Sequence, residues 1–137
     1  MINRRQDYLV WMIEQAVQAM AEAARLARAG QFDLALIAIR RTTDLVVPPA
    51  MRELLDRLEP ASAVSVLGPA ELDRVRLYAA LLGEEGAVHD LRGREPDATR
   101  CYRRSWELYT AAEAGGAELM EADRARIADL RAKLDQA

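Results

Sequence analysis

The sequence predicts an all-α protein, and three of its properties lead to that prediction. Ala, Leu, Arg and Glu are abundant while Val and Ile are few, and straight-chain residues lose little side-chain freedom in a helix. Apolar residues recur at spacings of three and four along most of the chain, which is the period of an amphipathic helix. No segment shows the alternation typical of a strand. The pattern divides the 137 residues into five to seven helices of a single domain.

The first two predicted helices form a hairpin over about residues 5–47. The first ends at Gly30, because glycine can close a helix in the left-handed conformation without a Cβ clash. The second, about 32–46, is stopped by Pro48 and Pro49, since proline lacks a backbone donor and clashes with the preceding turn. The residues expected to be buried by the second helix are Leu34, Ala35, Ile37 and Ala38, with Leu45 as a further candidate.

An inserted segment, about 48–69, separates this hairpin from the next. It contains one short predicted helix at about 50–58, which Pro60 terminates. The pattern over 61–68 fits either one or two helical turns or a buried extended piece. Pro69 then suits the first turn of the following helix.

A second hairpin is predicted over about 70–114, with its corner at Gly93. The pair of glycines at 115 and 116 breaks the chain before a last helix over about 117–136. The apolar stripe of this last helix is thin, which is typical of a terminal cap or a coiled-coil seam. Its members are Met120, Ile127, Leu130 and Leu134.

An internal repeat relates the two hairpins, because "GQFDLALIAI" from residue 30 aligns with "GREPDATRCY" from residue 93. In each copy an alanine follows the glycine by five residues, and a bulky residue follows that alanine by four. Small residues at such points allow two antiparallel helices to approach closely. The matched pairs are Ala23 and Gly86, Gly30 and Gly93, Ala35 and Ala98, and Ile39 and Tyr102.

These positions resemble the tetratricopeptide (TPR) helical hairpin, over roughly 17–42 and 80–105. The two copies lie 63 residues apart, whereas TPR repeats recur about every 34 residues. The segment between the hairpins is therefore interpreted as an insertion. Two hairpins are fewer than the three or so repeats that a solenoid needs, so the last helix or a second subunit must cover an open end.

The chain is also similar to an uncharacterised bacterial domain-of-unknown-function family of small TPR-like proteins. The similarity rests on "RRQDYLVWMIEQ" at residues 4–15 and on the pattern G-x-(Y/F)-x-x-A-L at residues 30–36. It extends over most of residues 4–113. This resemblance implies a TPR-like fold and brings no established activity.

Charge and cysteine content exclude several classes of function. The net charge of −3 argues against a general nucleic-acid-binding protein, which needs a basic face to displace counterions. Cys101 is the only cysteine, so we expect no intramolecular disulfide and a reducing compartment. The N-terminus lacks the apolar segment of a signal peptide. The longest uncharged stretch, 60–70, is too short to span a bilayer, and we expect a soluble, cytoplasmic protein.

TPR arrays often bind peptides in a groove lined by their first helices, and the resemblance places that groove here. Only Arg28 among the groove positions could bind a peptide carboxylate, so a carboxylate clamp is not expected. The inserted segment is expected to fill the groove instead. The groove positions implied by the resemblance are Val17, Met20, Ala24, Ala27 and Arg28 in the first hairpin, and Ala80, Gly83, Ala87, Asp90 and Leu91 in the second.

Trp11 is the main candidate for contact with a protein partner. At about 100° per residue it lies nearly opposite the apolar face of the first helix. Its neighbours on that side are Asp7, Glu14 and Gln18. One interpretation is packing beneath a neighbouring helix such as the last one. The other is an interface anchor, because tryptophan is enriched among residues that dominate binding energy.

His89 and Cys101 are candidates for chemistry, and structural interpretations are favoured for both. His89 follows Glu85 by four residues, but a metal centre between helices needs further ligands and there is no second histidine. Nearby arginines could lower the pKa of the Cys101 thiol, yet no motif connects it to a base. We expect His89 to pack between helices and Cys101 to act as a small buried residue.

Residues 92–104 are locally basic and suggest an alternative function. Arg100, Arg103 and Arg104 could bind a small anionic ligand or nucleic acid, with nearby aromatic residues for stacking. The aromatic spacing of three and four also fits the core stripe of a helix, with the arginines solvated beside it. We favour the core stripe and do not expect nucleic-acid binding.

No catalytic motif supports an enzyme. The chain contains no phosphate-binding loop, no dinucleotide-binding glycine motif, no hydrolase nucleophile motif and no Cys-x-x-Cys pair. The sequence therefore predicts a non-enzymatic interaction or scaffold module without catalytic residues, metal or cofactor. Its expected partner is another protein or a second copy of itself, as in a homodimer. Binding to a membrane is not expected.

Overall fold

Helices are the regular elements of residues 4–136, the part of the chain that the computed structural model describes. The all-α prediction is confirmed over these residues, and no strand occurs among them. The elements are α1 (Arg4–Arg28), α2 (Phe32–Val46), α3 (Pro49–Arg57), α4 (Pro60–Leu67), a 3-10 turn (Pro69–Glu71), α5 (Leu72–Leu91), α6 (Glu95–Ala114) and α7 (Glu121–Asp135).

One boundary differs from the sequence-based expectation, and one segment that the sequence left open is helical. The last helix was expected from about residue 117, but α7 begins at Glu121 because Met120 has an extended backbone (φ −83°, ψ 165°). The ambiguous segment 61–68 is helical through Leu67, since Pro60 starts α4 and Gly68 (φ 82°) ends it. Pro69 opens a single 3-10 turn before α5.

The corners of the two hairpins have nearly the same backbone geometry. Gly30 and Gly93 have left-handed φ angles of 78° and 83°. The residues that follow them also match, with φ and ψ of −94° and 67° at Gln31 and −98° and 72° at Arg94. Each of these two residues donates its backbone N–H to a carbonyl five residues back, at 2.9 Å, which is a Schellman closure. Gly30 is therefore a helix corner.

The repeated small residues lie where paired helices approach closely. Ala35 and Ala98 are buried at equivalent places in α2 and α6. A Cβ atom added to Gly86 of α5 would lie 2.7 Å from the Tyr102 ring of α6. That distance is too short for any side chain, so the contact between α5 and α6 requires glycine.

Helix α5 is central to the packing. It packs against α1 and α2 on one side and against α6 and α7 on the other. The inserted helices lie near the end where α5 begins: α4 packs on α6 and α5, and the Tyr78 hydroxyl donates a hydrogen bond to Asp56 of α3 at 3.1 Å. One apolar core runs through both hairpins and the insertion.

Three residues expected to be buried by α2 are exposed. Leu34, Ile37 and Leu45 keep 51%, 42% and 48% of their surface. The reason is that α2 packs mainly against α1 and α5. Residues on another face, including Leu36 and Ile39, enter the core instead.

None of the helices in residues 4–136 has the length and apolar character needed to cross a lipid bilayer.

Candidate functional site

The exposed side of α1 carries an aromatic pair. Helix α1 buries Met12, Ala16 and Ala23 against the rest of the molecule. Trp11 keeps 40% of its surface exposed. Its ring stacks on Tyr8, with ring centroids 5.6 Å apart and planes 29° apart. An aromatic pair on the outside of a helix offers a large apolar area without the cost of ordering flexible side chains.

Charged residues surround this pair. Asp7 and Glu14 are exposed on either side of Trp11, and neither forms an ion pair with any residue that the structure describes. Arg4, one helical turn before Tyr8, is likewise exposed and without an ion pair there. Gln18 continues the same side of the helix. We call Arg4, Asp7, Tyr8, Trp11, Glu14, Gln15 and Gln18 the outer face of α1.

Trp11, Glu14 and Gln18 on the outer face of α1 point away from the core, whereas Tyr8 at its edge contacts Arg74 of α5. Met20 of α1 lines a cavity with residues of α5, α6 and α7. Trp11 lies about 180° around the helix from Met20, because nine residues at about 100° each separate them. Helix α7 packs against α5 and α6, on the far side of the molecule from the outer face. Trp11 is therefore not covered by the C-terminal helix.

A cleft of about 490 Å³ lies beside this face, between the start of α1 and the start of α5. Its cations already have structural partners. Arg5 donates a hydrogen bond to the Ala70 carbonyl at 3.0 Å. Arg74 donates to the Val46 carbonyl at 2.7 Å and lies 3.3 Å from the Glu71 carboxylate. Its guanidinium also lies 5.4 Å from the centre of the Tyr8 ring. These contacts link α1 and α2 to the start of α5. They leave neither Arg5 nor Arg74 free to bind an anionic ligand.

The groove implied by the TPR resemblance is closed by α7, and the expectation that the insertion fills it is wrong. Met20, Ala80, Gly83 and Ala87 line a cavity of about 100 Å³ whose opposite wall is formed by residues of α7, including Leu130. The insertion packs elsewhere, on α6 and the start of α5. What remains of the groove is too small for a peptide.

Polar side chains of α5, α6 and α7 line this cavity. The Lys133 ammonium of α7 lies 4.7 Å from the centre of the Tyr102 ring. The Tyr102 hydroxyl donates to Asp90 at 3.1 Å, and burial together with that carboxylate raises the pKa of Tyr102. Burial also raises the pKa of Glu84, which lines the same cavity. These contacts fix α7 in place and leave no open ligand site.

A buried ion pair anchors α7 to α5. The Arg76 guanidinium donates to Asp123 at 2.8 Å, and the two side chains are only 4% and 3% exposed. The same Asp123 oxygen accepts the backbone N–H of Met120 at 2.9 Å, which caps α7. Burial opposes the charge on Arg76, but the Asp123 and Asp73 carboxylates outweigh it and raise the Arg76 pKa.

The sequence analysis missed this pair. Arg76 lies in an apolar stretch of α5 between Val75 and Leu77, and a charged residue in such a position signals a buried partner. The partner itself, Asp123, is 47 residues away, so its identity depends on the packing of α7. The pair holds the structure together and lies away from any open surface.

The arginines of α6 do not form one anion site. Arg100 pairs with Asp97. Arg103 is exposed and has no ion pair among the described residues. One nitrogen of Arg104, Nη2, is buried without a hydrogen-bond partner in the structure. The three side chains share one side of α6, as the sequence suggests, but Arg100 already has a carboxylate partner.

The surroundings of Cys101 and His89 suit packing between helices and do not activate either side chain. The Cys101 thiol lies 3.6 Å from a Glu85 carboxylate oxygen, and burial with that carboxylate raises the pKa of Cys101 to about 12. The arginines therefore do not activate the thiol. Glu85 lies 3.6 Å from Arg40 as well. His89 is half-buried, and its Nδ1 has no hydrogen-bond partner.

Over residues 4–136, no cluster of three or more His, Cys, Asp or Glu side chains could hold a metal ion. Comparison with protein-family models, with curated proteins and with solved structures finds no match for this chain. The candidate site therefore rests on geometry alone, and the outer face of α1 is chosen because it carries an exposed, stacked aromatic pair.

Proposed function

We propose that the protein is a non-enzymatic interaction module with a TPR-like architecture, and that it associates with a second copy of itself through the outer face of α1. The observation that carries the proposal is the exposed, stacked pair of Trp11 and Tyr8 between unpaired charges. Exposed tryptophan and tyrosine beside polar residues are the residue types that anchor protein interfaces.

The arrangement of the helices supports the TPR-like part of the proposal. Two hairpins with matching glycine corners, α1 with α2 and α5 with α6, follow one another. Helix α5 packs on both helices of the first hairpin, and α7 packs on both helices of the second. Each new helix thus enters the groove of the preceding pair, as in a stacked repeat. The α1–α2 hairpin has no preceding unit among the described residues, and its outer side is the open end.

Light scattering coupled to size-exclusion chromatography tests self-association. We expect the wild-type mass to rise above that of a monomer as concentration increases. Trp11→Ala should return the mass to that of a monomer with unchanged helicity. The matched control is Val66→Ala on α4, which removes an even more exposed apolar side chain (64%) that is not part of the outer face of α1. A Trp11→Ala variant that associates as strongly as wild type contradicts the role of the outer face.

A second candidate function is the binding of a small anion by Arg103 and Arg104. The unpartnered Arg104 Nη2 and the unpaired Arg103 favour it, because guanidinium donors bind phosphate well. Titration with inorganic phosphate, followed by calorimetry, tests it. Binding that Arg104→Gln abolishes supports this function, and the absence of any heat at millimolar phosphate contradicts it.

A further inference from the structure

We propose that the surface met by the outer face of α1 is the exposed side of α7 on a second copy, with the two helices antiparallel and Trp11 against Ala128. This inference rests on the proposed self-association and adds the partner surface and its register. The two copies therefore join head to tail, since each uses α1 on one side and α7 on the other.

The exposed side of α7 has alanines at its centre, two arginines along one flank and an acid near each end, Glu121 and Asp135. Asp123 and Leu130 are the buried residues of α7, and Ala128 lies about 160° around the helix from Leu130. Ala128 is exposed, with Ala125 and Ala132 on one flank and Arg124 and Arg131 on the other. Arg131 forms no ion pair within residues 4–136, and Arg124 has only an exposed contact of 3.8 Å with Glu113. Alanines leave room for a bulky aromatic side chain.

The two faces have the same spacing with opposite charge. On α1, acids lie four residues before and three residues after Trp11, at Asp7 and Glu14. On α7, arginines lie four residues before and three residues after Ala128. The remaining positions are complementary in size, because the large side chains of Tyr8 and Gln15 on α1 have the same spacing as two small alanines on α7.

This spacing selects the antiparallel direction. When two helices face each other antiparallel, the residues on the same rotational flank of the two contact lines meet. With Trp11 on Ala128, Asp7 comes beside Arg131 and Glu14 beside Arg124. Tyr8 and Gln15 then lie over Ala132 and Ala125. In a parallel arrangement the acids would meet alanines, and the arginines would remain unpaired.

The ends of the two faces agree with the same register. Arg4 lies seven residues before Trp11, and Asp135 lies seven residues after Ala128. The antiparallel arrangement brings these two together as a third pair of opposite charge. Neither forms an ion pair within the described part of its own chain.

The contact is head to tail because the two faces point in different directions. Met20 of α1 and Leu130 of α7 line the same cavity, and Trp11 and Ala128 lie about 180° and 160° around their helices from those residues, so the two faces point in opposite directions. A contact of this kind leaves one α1 and one α7 free in every dimer, so it extends to longer assemblies. A single helix pair is smaller than a standard interface, and the association should be weak and sensitive to salt.

Charge reversal tests the proposal. The first variant is Asp7→Lys with Glu14→Lys, and the second is Arg124→Glu with Arg131→Glu. Sedimentation of each alone should show association at least tenfold weaker than wild type. An equal mixture of the two variants should associate again, because each restores the complement of the other. The four substitutions in one chain should also restore association.

The matched control reverses two exposed arginines elsewhere, Arg41→Glu with Arg94→Glu, and should associate like wild type. Circular dichroism checks that each variant folds. If a charge-reversed variant fails to fold, Asp7→Asn with Glu14→Gln and Arg124→Gln with Arg131→Gln replace it, and each should weaken association without restoration on mixing.

The outcomes separate this inference from the proposed function. Wild-type association that Trp11→Ala abolishes, but that the mixture does not restore, overturns the α7 contact and leaves self-association standing. Variants that associate as strongly as wild type also overturn it. A wild-type chain that stays monomeric at all concentrations overturns both proposals.

Discussion

Asp123 is the residue on which the position of α7 depends most. It accepts hydrogen bonds from Arg76 and from the backbone of Met120, and the Tyr109 hydroxyl lies 3.4 Å from its second oxygen. Removing one member of a buried ion pair leaves the other charge without compensation, and this costs more than the pair itself contributes. The Asp123 carboxylate is thus the main polar group that holds the C-terminal helix in place.

Asp123→Ala should lower the free energy of unfolding by about 3 kcal/mol, because Arg76 would remain buried with only the part-exposed Asp73 as a carboxylate partner. Urea denaturation followed by circular dichroism measures the change. The double variant Arg76→Met with Asp123→Ala should recover part of the loss. The control Asp129→Ala removes an exposed pair with Lys133 and should cost less than about 1 kcal/mol. Equal losses for the two single variants would contradict the assignment.

Alkaline pH should destabilise the protein through its buried tyrosines and cysteine. Burial raises the pKa of Tyr78 from 10.0 to about 12 and that of Cys101 from 9.0 to about 12; it also raises the pKa of Tyr102 and Tyr109. These groups are neutral in the folded state and ionise more readily in the unfolded chain. Their stabilising contribution is complete below pH 9 and is lost as the pH rises towards 12.

Thermal melting between pH 7 and pH 11 tests this expectation. The melting temperature should fall steadily above pH 9, with tyrosinate absorbance appearing together with unfolding. A melting temperature that stays level to pH 11 would show that the phenols and the thiol ionise without loss of the fold.

At the scale of helices, the sequence predicts which segments are helical better than which faces are buried. The range of α2 agrees with its predicted range, because proline stops and apolar period act locally. The prediction of its buried face was wrong at Leu34 and Ile37, because the position of α5 determines which side of α2 is covered. The buried Thr43 hydroxyl donates a hydrogen bond to the Ile39 carbonyl of the same helix at 2.9 Å. This polar side chain can therefore be buried without a hydrogen-bond partner from another helix.

The contact between α5 and α6 depends on Gly86. Gly86→Ala should cost about 1–3 kcal/mol, because its Cβ would overlap the Tyr102 ring. Tyr102→Leu should relieve part of this cost, and a double-mutant cycle measures the coupling. Gly30→Ala serves as the control: its cost is backbone strain at φ 78°, with no atom within 4 Å of the added Cβ. Tyr102→Leu should leave that cost unchanged, and coupling there would argue against the steric explanation.

At the scale of the whole molecule, the two ends of the helical array differ. One end exposes aromatic residues and acids on α1, and the other exposes alanines and arginines on α7. The exposure of Trp11 was one of two alternatives from the sequence, because the helical period places it off the core face but cannot show what lies beyond. The Arg76–Asp123 contact, which positions α7, joins residues 47 positions apart. The sequence alone could not predict it, because it forms only when α7 packs on α5.

The most direct test of the account is the accessibility of Trp11 as a function of protein concentration. In a Trp106→Phe background, Trp11 is the only tryptophan, and acrylamide quenching reports its exposure. We predict strong quenching in dilute solution and a clear decrease as the protein is concentrated, in parallel with rising mass. Quenching that stays constant over that range would contradict the claim that the outer face of α1 is an interface.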